Sequence, residues 1–89
     1  MNEAIAGLID LLDMENNRHR DSKRDILLAL GAAVKHQRII AGLTQTKLSE
    51  IADVSEAAIS LVENGAVGIL SVENFRKLGE ALGDETTSN

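Results

Sequence analysis

The stretch TQTKLSEIADVSEAAISLVENG, residues 44–65, contains two short helical patterns separated by a tight turn. Thr44 and Ser55 each precede one pattern, where a side-chain hydroxyl can accept hydrogen bonds from the free N–H groups of a first helical turn. The spacing predicts one helix over about 45–52 and another over about 56–63, which ends at Asn64 and Gly65. The apolar residues of both patterns are spaced to meet at one point, and they are Leu48, Ala52, Val54, Ile59 and Val62.

Three further helices are predicted around this pair. Asn2 can cap a first helix over about 3–15, and apolar residues along it recur at helical spacing. Ser22 with Asp25 resembles a capping box for a second helix that ends at Gly42. A last helix is predicted over about 72–82 between Ser71 and Gly83. The predicted core of the second helix consists of Ile26, Leu27, Leu30, Val34 and either Ile39 or Ile40.

Three segments follow from these patterns. Residues 1–21 form an N-terminal amphipathic helix and a polar stretch that is either a linker or a solvated helical extension. Residues 22–83 form the main domain, and residues 84–89 (DETTSN) form a tail that we expect to be disordered.

Composition favours an all-α domain. The chain has 89 residues, no Pro, no Cys and one aromatic side chain, Phe75, so neither a β-rich core nor a disulfide framework is expected. The longest apolar run, Ile26–Val34, has nine residues, against the roughly 20 that a bilayer requires. No basic start precedes an apolar segment, so we expect a cytoplasmic protein with no membrane partner.

Other chemistry finds little support in the sequence. His19 and His36 are isolated and have no Cys or H-x-x-x-H companion, which argues against a metal site. Glycine-rich phosphate loops are absent, and nearly all apolar residues are needed for packing. We therefore expect no enzymatic activity, no catalytic residues and no cofactor.

The net charge of −5 is unevenly distributed. Residues 1–21 contain five acids and two bases, residues 22–82 contain seven of each, and the tail from Gly83 adds two acids. A neutral body with acidic ends is compatible with contact to DNA but does not favour it.

Residues 30–83, LGAAVKHQRIIAGLTQTKLSEIADVSEAAISLVENGAVGILSVENFRKLGEALG, resemble the helix-turn-helix family of phage Cro and repressor proteins and their bacterial XRE-like relatives. The resemblance rests on spaced motifs: Gly42-Leu43-Thr44-Gln45, Leu48, Val54-Ser55, Ile59-Ser60, Glu63-Asn64-Gly65 and the closing Ser71-Val72-Glu73, Leu78 and Ala81-Leu82-Gly83. It implies a small, lambda-repressor-like bundle of four core helices to which the first helix is an addition. Asp53 stands where the family usually has Gly, and we expect mild strain there because Asp tolerates a positive φ.

The resemblance also assigns residue roles. Arg38 and Glu63 match a buried ion pair that joins the first core helix to the end of the recognition helix, with phosphate contact by Arg38 as an alternative. Thr44, Gln45, Lys47 and Ser55 match positions beside the DNA backbone, although capping alone would also explain the hydroxyl residues. The base-facing positions, which we call the reader face, are Glu56, Ala57, Ser60 and Leu61.

The reader face departs from the family pattern. Glu can accept from cytosine N4 and Ala can touch a thymine methyl, but this face contains no Arg, Lys, Gln or Asn. The loop after Gly65, often basic in relatives, is apolar here, so phosphate contacts are fewer. Lys35, Lys47, Arg76 and Lys77 can replace them in part. An exposed apolar strip that could instead bind a protein is formed by Ala57, Leu61, Ala66, Val67 and Ile69.

Two functions follow as expectations. The first is a homodimeric, repressor-like transcriptional regulator that binds double-stranded DNA. The second is a protein-interaction module, such as an antitoxin-like or anti-repressor subunit, that binds a toxin or another regulator. The apolar residues of the first helix must be buried somewhere, either in their own domain or, as we prefer, against a second copy; these residues are Ile5, Leu8, Ile9, Leu12 and Met14.

Overall fold

Capping groups in the sequence define the ends of most of the helices. A computed structural model describes residues 1–15 and 20–87, in which there are five helices and no strand. The helices are α1 (Glu3–Glu15), α2 (Arg20–Ile40), α3 (Gln45–Ala52), α4 (Glu56–Glu63) and α5 (Val72–Thr87). The predicted all-α bundle is confirmed.

Four of the five predicted N-caps accept the expected hydrogen bonds. The Asn2 side-chain oxygen accepts from the backbone N–H groups of Ala4 and Ile5 at 3.1 and 3.3 Å. Thr44 accepts from the N–H of Lys47 at 3.0 Å, and Ser55 accepts from that of Ala58 at 3.4 Å. Ser71 does the same for α5. Each cap supplies an acceptor to an N–H that has no partner within its helix.

The turns at the helix ends use left-handed backbone conformations. Gly42 has φ 74° and ends α2, with the N–H of Leu43 donating to the carbonyl of Arg38 at 3.1 Å. Asp53 ends α3 with φ 58°, as expected for a residue in place of Gly. The Ser49 hydroxyl donates to the Val54 carbonyl at 2.6 Å, which secures the turn between α3 and α4.

The apolar face of α1 is part of the chain's own core. The side chains of Ile5, Ile9 and Leu12 are buried, and Leu8 packs against them as α1 lies on α2 and α5. Our preferred interpretation, that this face pairs with a second copy, is therefore wrong for these four residues. Met14, which we also expected to be buried, is exposed. The helix can cover α2 and α5 because positions i, i+4 and i+7 lie on one side of it.

The start of α1 is joined closely to α5. The Asn2 backbone N–H donates to the carbonyl of Gly79 at 2.8 Å, and its side-chain amide donates to Gln37 of α2 at 2.9 Å. A Cβ on Gly83 would lie 2.6 Å from backbone atoms of Met1 and Asn2. Gly83 thus permits close approach instead of ending the helix, and α5 continues past the expected end at 82 to Thr87. Residues 84–87 of the predicted disordered tail are helical, and residues 88–89 lie outside the described residues.

Two expectations for α2 need correction. The helix begins at Arg20, so Ser22 lies within it and is not its N-cap. Ile39 and Ile40 are both exposed, because the buried stripe through Leu30 and Val34 continues at Gln37 and Ala41. Residues 16–19, which include His19 and most of the predicted linker, lie outside the described residues.

The helices of the described residues differ from membrane-spanning helices in length or composition. None of their helices, taken singly, has the length and apolar character needed to cross a bilayer. One bent pair of helices meets the requirement for length and composition, namely Lys23–Ile40 with Gln45–Ala52, which are bent by 104°. The core helices of soluble proteins can meet the same requirement.

Candidate nucleic-acid interface

Helices α3 and α4 form a helix-turn-helix unit that presents one face of α4 to solvent. Ile59 and Val62 of α4 are buried against the core, while Glu56 and Ala57 are exposed and Leu61 is 50% exposed. Of the predicted reader face, only Ser60 is half-buried. Side chains at this end of α4 are therefore free of core contacts and available to another molecule.

The close approach of α2 to α4 depends on Gly31. A Cβ at this position would lie 2.1 Å from the carbonyl oxygen of Val62. No side chain other than hydrogen fits there, so Gly31 fixes how α4 lies on the scaffold. This role was not predicted, because the presence of a single Gly inside a helix does not indicate which other helix packs against it.

Arg38 and Glu63 form the predicted ion pair in a bidentate arrangement. Arg38 Nε donates to Glu63 Oε2 at 2.8 Å, and Nη2 donates to Oε1 at 2.9 Å. The side chains are only 13% and 2% exposed, respectively. The third nitrogen of the guanidinium, Nη1, donates to the carbonyl of Leu43 at 2.8 Å, which leaves Arg38 directed inward and committed to the structure.

The hydrogen bonds to Glu63 raise the pKa of Arg38 above its ordinary value, against the opposing effect of burial. A group whose pKa is raised on folding contributes its full stability below the unfolded-state pKa and loses it only above the folded-state value. For an arginine this window lies far above neutral pH, so Arg38 is charged throughout the range in which a protein is handled.

Gln45 joins the same network. Its side-chain Nε2 donates to Glu63 Oε1 at 2.9 Å, and the side chain is half-buried. Gln45 therefore connects the start of α3 to the end of α4. The resemblance assigned Gln45 to the DNA backbone, and its contact with Glu63 within the protein was not predicted.

Glu56 is held in place by the preceding helix. The Thr46 hydroxyl donates to Glu56 Oε2 at 2.9 Å, and both side chains are exposed. The hydrogen bond orients the carboxylate at the first turn of α4, where the helix dipole also favours negative charge. Thr46 was not among the predicted site residues, because its role depends on the angle between two helices.

Positive charge near this face is limited. Lys47 is exposed on α3 and lies 3.8 Å from Glu50 one turn later, a distance that leaves its ammonium free to move to another anion. Arg76 of α5 instead contacts Asp13 of α1 at 3.5 Å, away from α4. In the apolar loop after Gly65, Ile69 is exposed whereas Ala66 and Val67 are half-buried, so the predicted apolar strip is exposed mainly at its ends.

Metal-binding clusters and cavities are the other features that could form a site. The described residues contain no cluster of three or more His, Cys, Asp or Glu side chains that could hold a metal ion. A cavity of about 240 Å³ lies between α1, α2 and the start of α5, and it is lined mainly by apolar groups such as Leu12, Leu27 and Leu70. Neither feature competes with α4 as a functional surface.

Comparison with known proteins defines the class. A helix-turn-helix family model matches residues 34–87, which include the end of α2 and all of α3, α4 and α5. The chain belongs to the Cro- and phage-repressor-type, XRE-like helix-turn-helix family of DNA-binding regulators.

A relative extends this comparison beyond the family motif. Over 69 residues the chain is 32% identical to a protein of Mycobacterium tuberculosis whose given name is antitoxin HigA2. The match covers 78% of this chain and 66% of that protein, slightly less than two thirds of its length. No solved structure matches the chain significantly.

Proposed function

We propose that the chain acts as a homodimeric transcriptional repressor that inserts the first turns of α4 into the major groove of DNA. The proposal rests chiefly on the exposed reader face at the N-terminal end of α4, carried by a helix-turn-helix unit whose far side is fixed to the core. Recognition helices of this class contact base edges through their N-terminal residues. A regulator works where the DNA is, so we propose a cytoplasmic location.

Contacts to the DNA backbone are assigned to the starts of α3 and α4. The Thr44 and Ser55 hydroxyls accept from N–H groups of their own helices, and each can still donate its proton to a phosphate oxygen. The positive ends of both helix dipoles attract the same anion. Lys47 adds a mobile charge, and Gln45 retains a second amide proton beyond the one it donates to Glu63.

Base recognition is assigned to the reader face. Glu56 has one carboxylate oxygen bound by Thr46 and can accept from a cytosine N4 amino group with the other. Ala57 and Leu61 present apolar surface that suits thymine methyl groups, and Ser60 can take either role. This surface favours a site that contains cytosine and thymine.

The DNA-binding experiment is fluorescence anisotropy with labelled duplexes from the promoter region of the chain's own gene, at several salt concentrations. Binding that weakens as salt rises supports the proposal, because phosphate contacts release counterions. A complete absence of binding at low salt would remove it. The role of Glu56 is then tested by replacing the cytosines in the bound duplex with pyrimidine analogues that lack the 4-amino group and, like cytosine, carry no 5-methyl group.

A dimer is proposed because each copy offers few phosphate contacts, and two linked half-sites raise affinity without any new contact. Light scattering of the free chain and of its DNA complex measures the number of copies. Two copies per duplex would agree with the proposal. A single copy at saturating protein would contradict it.

The second candidate is an antitoxin-like function, in which the chain binds a toxin as well as an operator. The observation that favours it is the likeness to a protein named as an antitoxin, together with exposed Leu61 on α4. Coexpression with the product of the adjacent gene, followed by copurification, tests it. Leu61→Asp shows whether α4 is the contact surface, since an unchanged complex would exclude that helix.

A further inference from the structure

Helix α1 has a second apolar face that the core does not use. Its inner residues are buried, but Ala4, Gly7, Leu11 and Met14 recur at i, i+3, i+7 and i+10 and point to solvent. Leu11 is 47% exposed and Met14 is 71% exposed. The small residues occupy the first half of this stripe and the large ones the second half, which gives the outer face the shape of a step.

Acidic side chains border the stripe. All charged residues of α1 are acidic, and they are Glu3, Asp10, Asp13 and Glu15. Asp13 contacts Arg76, whereas Glu3 and Asp10 are exposed and form no ion pair within residues 1–15 and 20–87. An apolar stripe with an uncompensated acidic border is complementary to an apolar surface bordered by lysine or arginine.

We propose that the outer face of α1 binds a basic protein partner through an apolar helix or groove flanked by cations. A second copy of this chain is a poor occupant, because pairing would bring two exclusively acidic helices together. Nucleic acid is repelled for the same reason. This inference rests on the second candidate function, for which it specifies the chemistry of the partner and a contact surface on α1 in place of Leu61 on α4.

The position of α1 allows partner binding and DNA binding together. Helix α1 packs on α2 and α5, whereas α4 packs on α2 and α3. A partner on Leu11 and Met14 therefore uses no residue of the reader face. The structure supports a regulator that holds a basic protein on one helix while another helix contacts DNA.

The test uses a synthetic amphipathic helix about three heptads long, with Leu at its a and d positions and Lys at the flanking positions. A peptide of the same length with Glu in place of Lys is its matched control. Fluorescence anisotropy measures the affinity of both for the wild type and for the double variant Leu11→Gln, Met14→Gln. The variant retains every charge and changes only exposed residues, and circular dichroism verifies its fold.

The Lys peptide is expected to bind the wild type, and the double variant is expected to weaken that binding at least about tenfold, because two apolar contacts are lost. The Glu peptide should not bind. Ile51→Gln, at an exposed apolar residue of α3 to which no binding role is assigned, should leave the affinity unchanged. Equal binding by the wild type and the double variant would overturn the proposal, as would equal binding of the two peptides.

Light scattering of the same variant distinguishes the alternative occupant. A wild-type dimer that becomes monomeric in the double variant would show that a second copy covers the stripe, and would also overturn the proposal. Promoter-duplex binding is measured in parallel and is expected to be unchanged in the variant. Equal peptide binding by the wild type and the variant, with promoter binding retained by both, would overturn this inference and leave the regulator function standing.

Discussion

Glu63 accepts hydrogen bonds from side chains of two other helices and is almost fully buried. Arg38 and Gln45 both depend on its carboxylate, which connects the end of α2, the start of α3 and the end of α4. Replacing all three side chains by apolar ones would change the free energy of unfolding little. Removing only one of them leaves the other two buried without a partner.

Glu63→Ala is expected to lower the free energy of unfolding by about 3–5 kcal/mol, because it leaves the Arg38 guanidinium uncompensated. Urea denaturation followed by circular dichroism measures the change. Glu73→Ala removes an exposed acid from α5 and serves as the control, with an expected change within about 0.5 kcal/mol. A loss for Glu63→Ala no larger than that of the control would contradict a structural role for the pair.

Two helical glycines offer a matched pair of substitutions with opposite expected signs. Gly31→Ala would force α2 away from α4, since the new Cβ meets the Val62 carbonyl, and should destabilise the fold by about 1–3 kcal/mol or more. Gly7→Ala meets nothing within 4 Å and should stabilise α1 by about 0.5–1 kcal/mol through helix propensity. Thermal denaturation of both variants measures the difference. Equal effects would show that α2 and α4 are not in the contact described.

At the residue scale, local chemistry was predictable and contacts between helices were less so. Asn2, Thr44, Ser55 and Ser71 cap helices because their short side chains act within one turn of the chain, which sequence spacing reveals. The contacts of Thr46 and Gly31 depend on the angle and distance between two helices, which spacing does not contain. The Arg38–Glu63 pair was predictable only through resemblance to a family.

At the scale of the element, α4 is divided between a structural side and a side for recognition. Ile59 and Val62 hold it to the core, and Glu56 stands at the exposed first turn, bound by Thr46. A carboxylate in this position repels phosphates and at the same time can read cytosine. Its net effect on DNA binding is thus a balance between general affinity and base preference.

Glu56→Gln is expected to strengthen binding to non-specific duplexes several-fold, roughly the effect of removing one like charge near the backbone, and to reduce the preference for cytosine at one position. Anisotropy titrations with specific and scrambled duplexes measure both quantities. Glu3→Gln on α1 makes the same charge change on a helix that packs on α2 and α5, and should leave both affinities nearly unchanged. An equal increase in DNA affinity for the two variants would show that the effect comes from the overall charge of the protein and not from the position of Glu56 on α4.

Helix boundaries were predictable where a cap or a turn residue marks them, as at both ends of α3 and α4. The prediction was wrong where a residue type typical of a helix end lies within a helix. Ser22 looked like a cap but lies inside α2, and Gly83 looked like a stop but lies against the N-terminal backbone. Helix phase was also misjudged at Ile39 and Ile40, because the apolar pattern near the end of α2 is wider than the face the core covers.

At the scale of the whole molecule, α1 completes a core that the helix-turn-helix unit leaves open. Its buried residues cover Leu30 and Val34 of α2 and Phe75 and Leu78 of α5, all of which belong to one apolar cluster. The sequence showed that α1 needed a surface to bury its apolar face, but periodicity alone does not say whether that surface belongs to the same chain.

A chain beginning at Ser22 is expected to lose cooperative unfolding, which tests the predicted division of the sequence there. Burial of each large apolar side chain contributes roughly 1.5–3 kcal/mol, and three from α1 approach the total stability of a small domain, about 5–15 kcal/mol. Thermal scans by circular dichroism and dispersion of amide NMR signals measure the loss. A sharp transition in the shortened chain would show that residues 22–83 fold independently.

The division of α4 into an exposed face and a buried face has an evolutionary consequence. Because Glu56, Ala57 and Leu61 are exposed while Ile59, Val62 and Glu63 anchor the helix, the outward positions can change without disturbing the scaffold. If the proposed reader face contacts DNA, operator preference can therefore drift among descendants of this protein with little loss of fold stability. New specificities would then arise by exchanging three side chains on an unaltered frame.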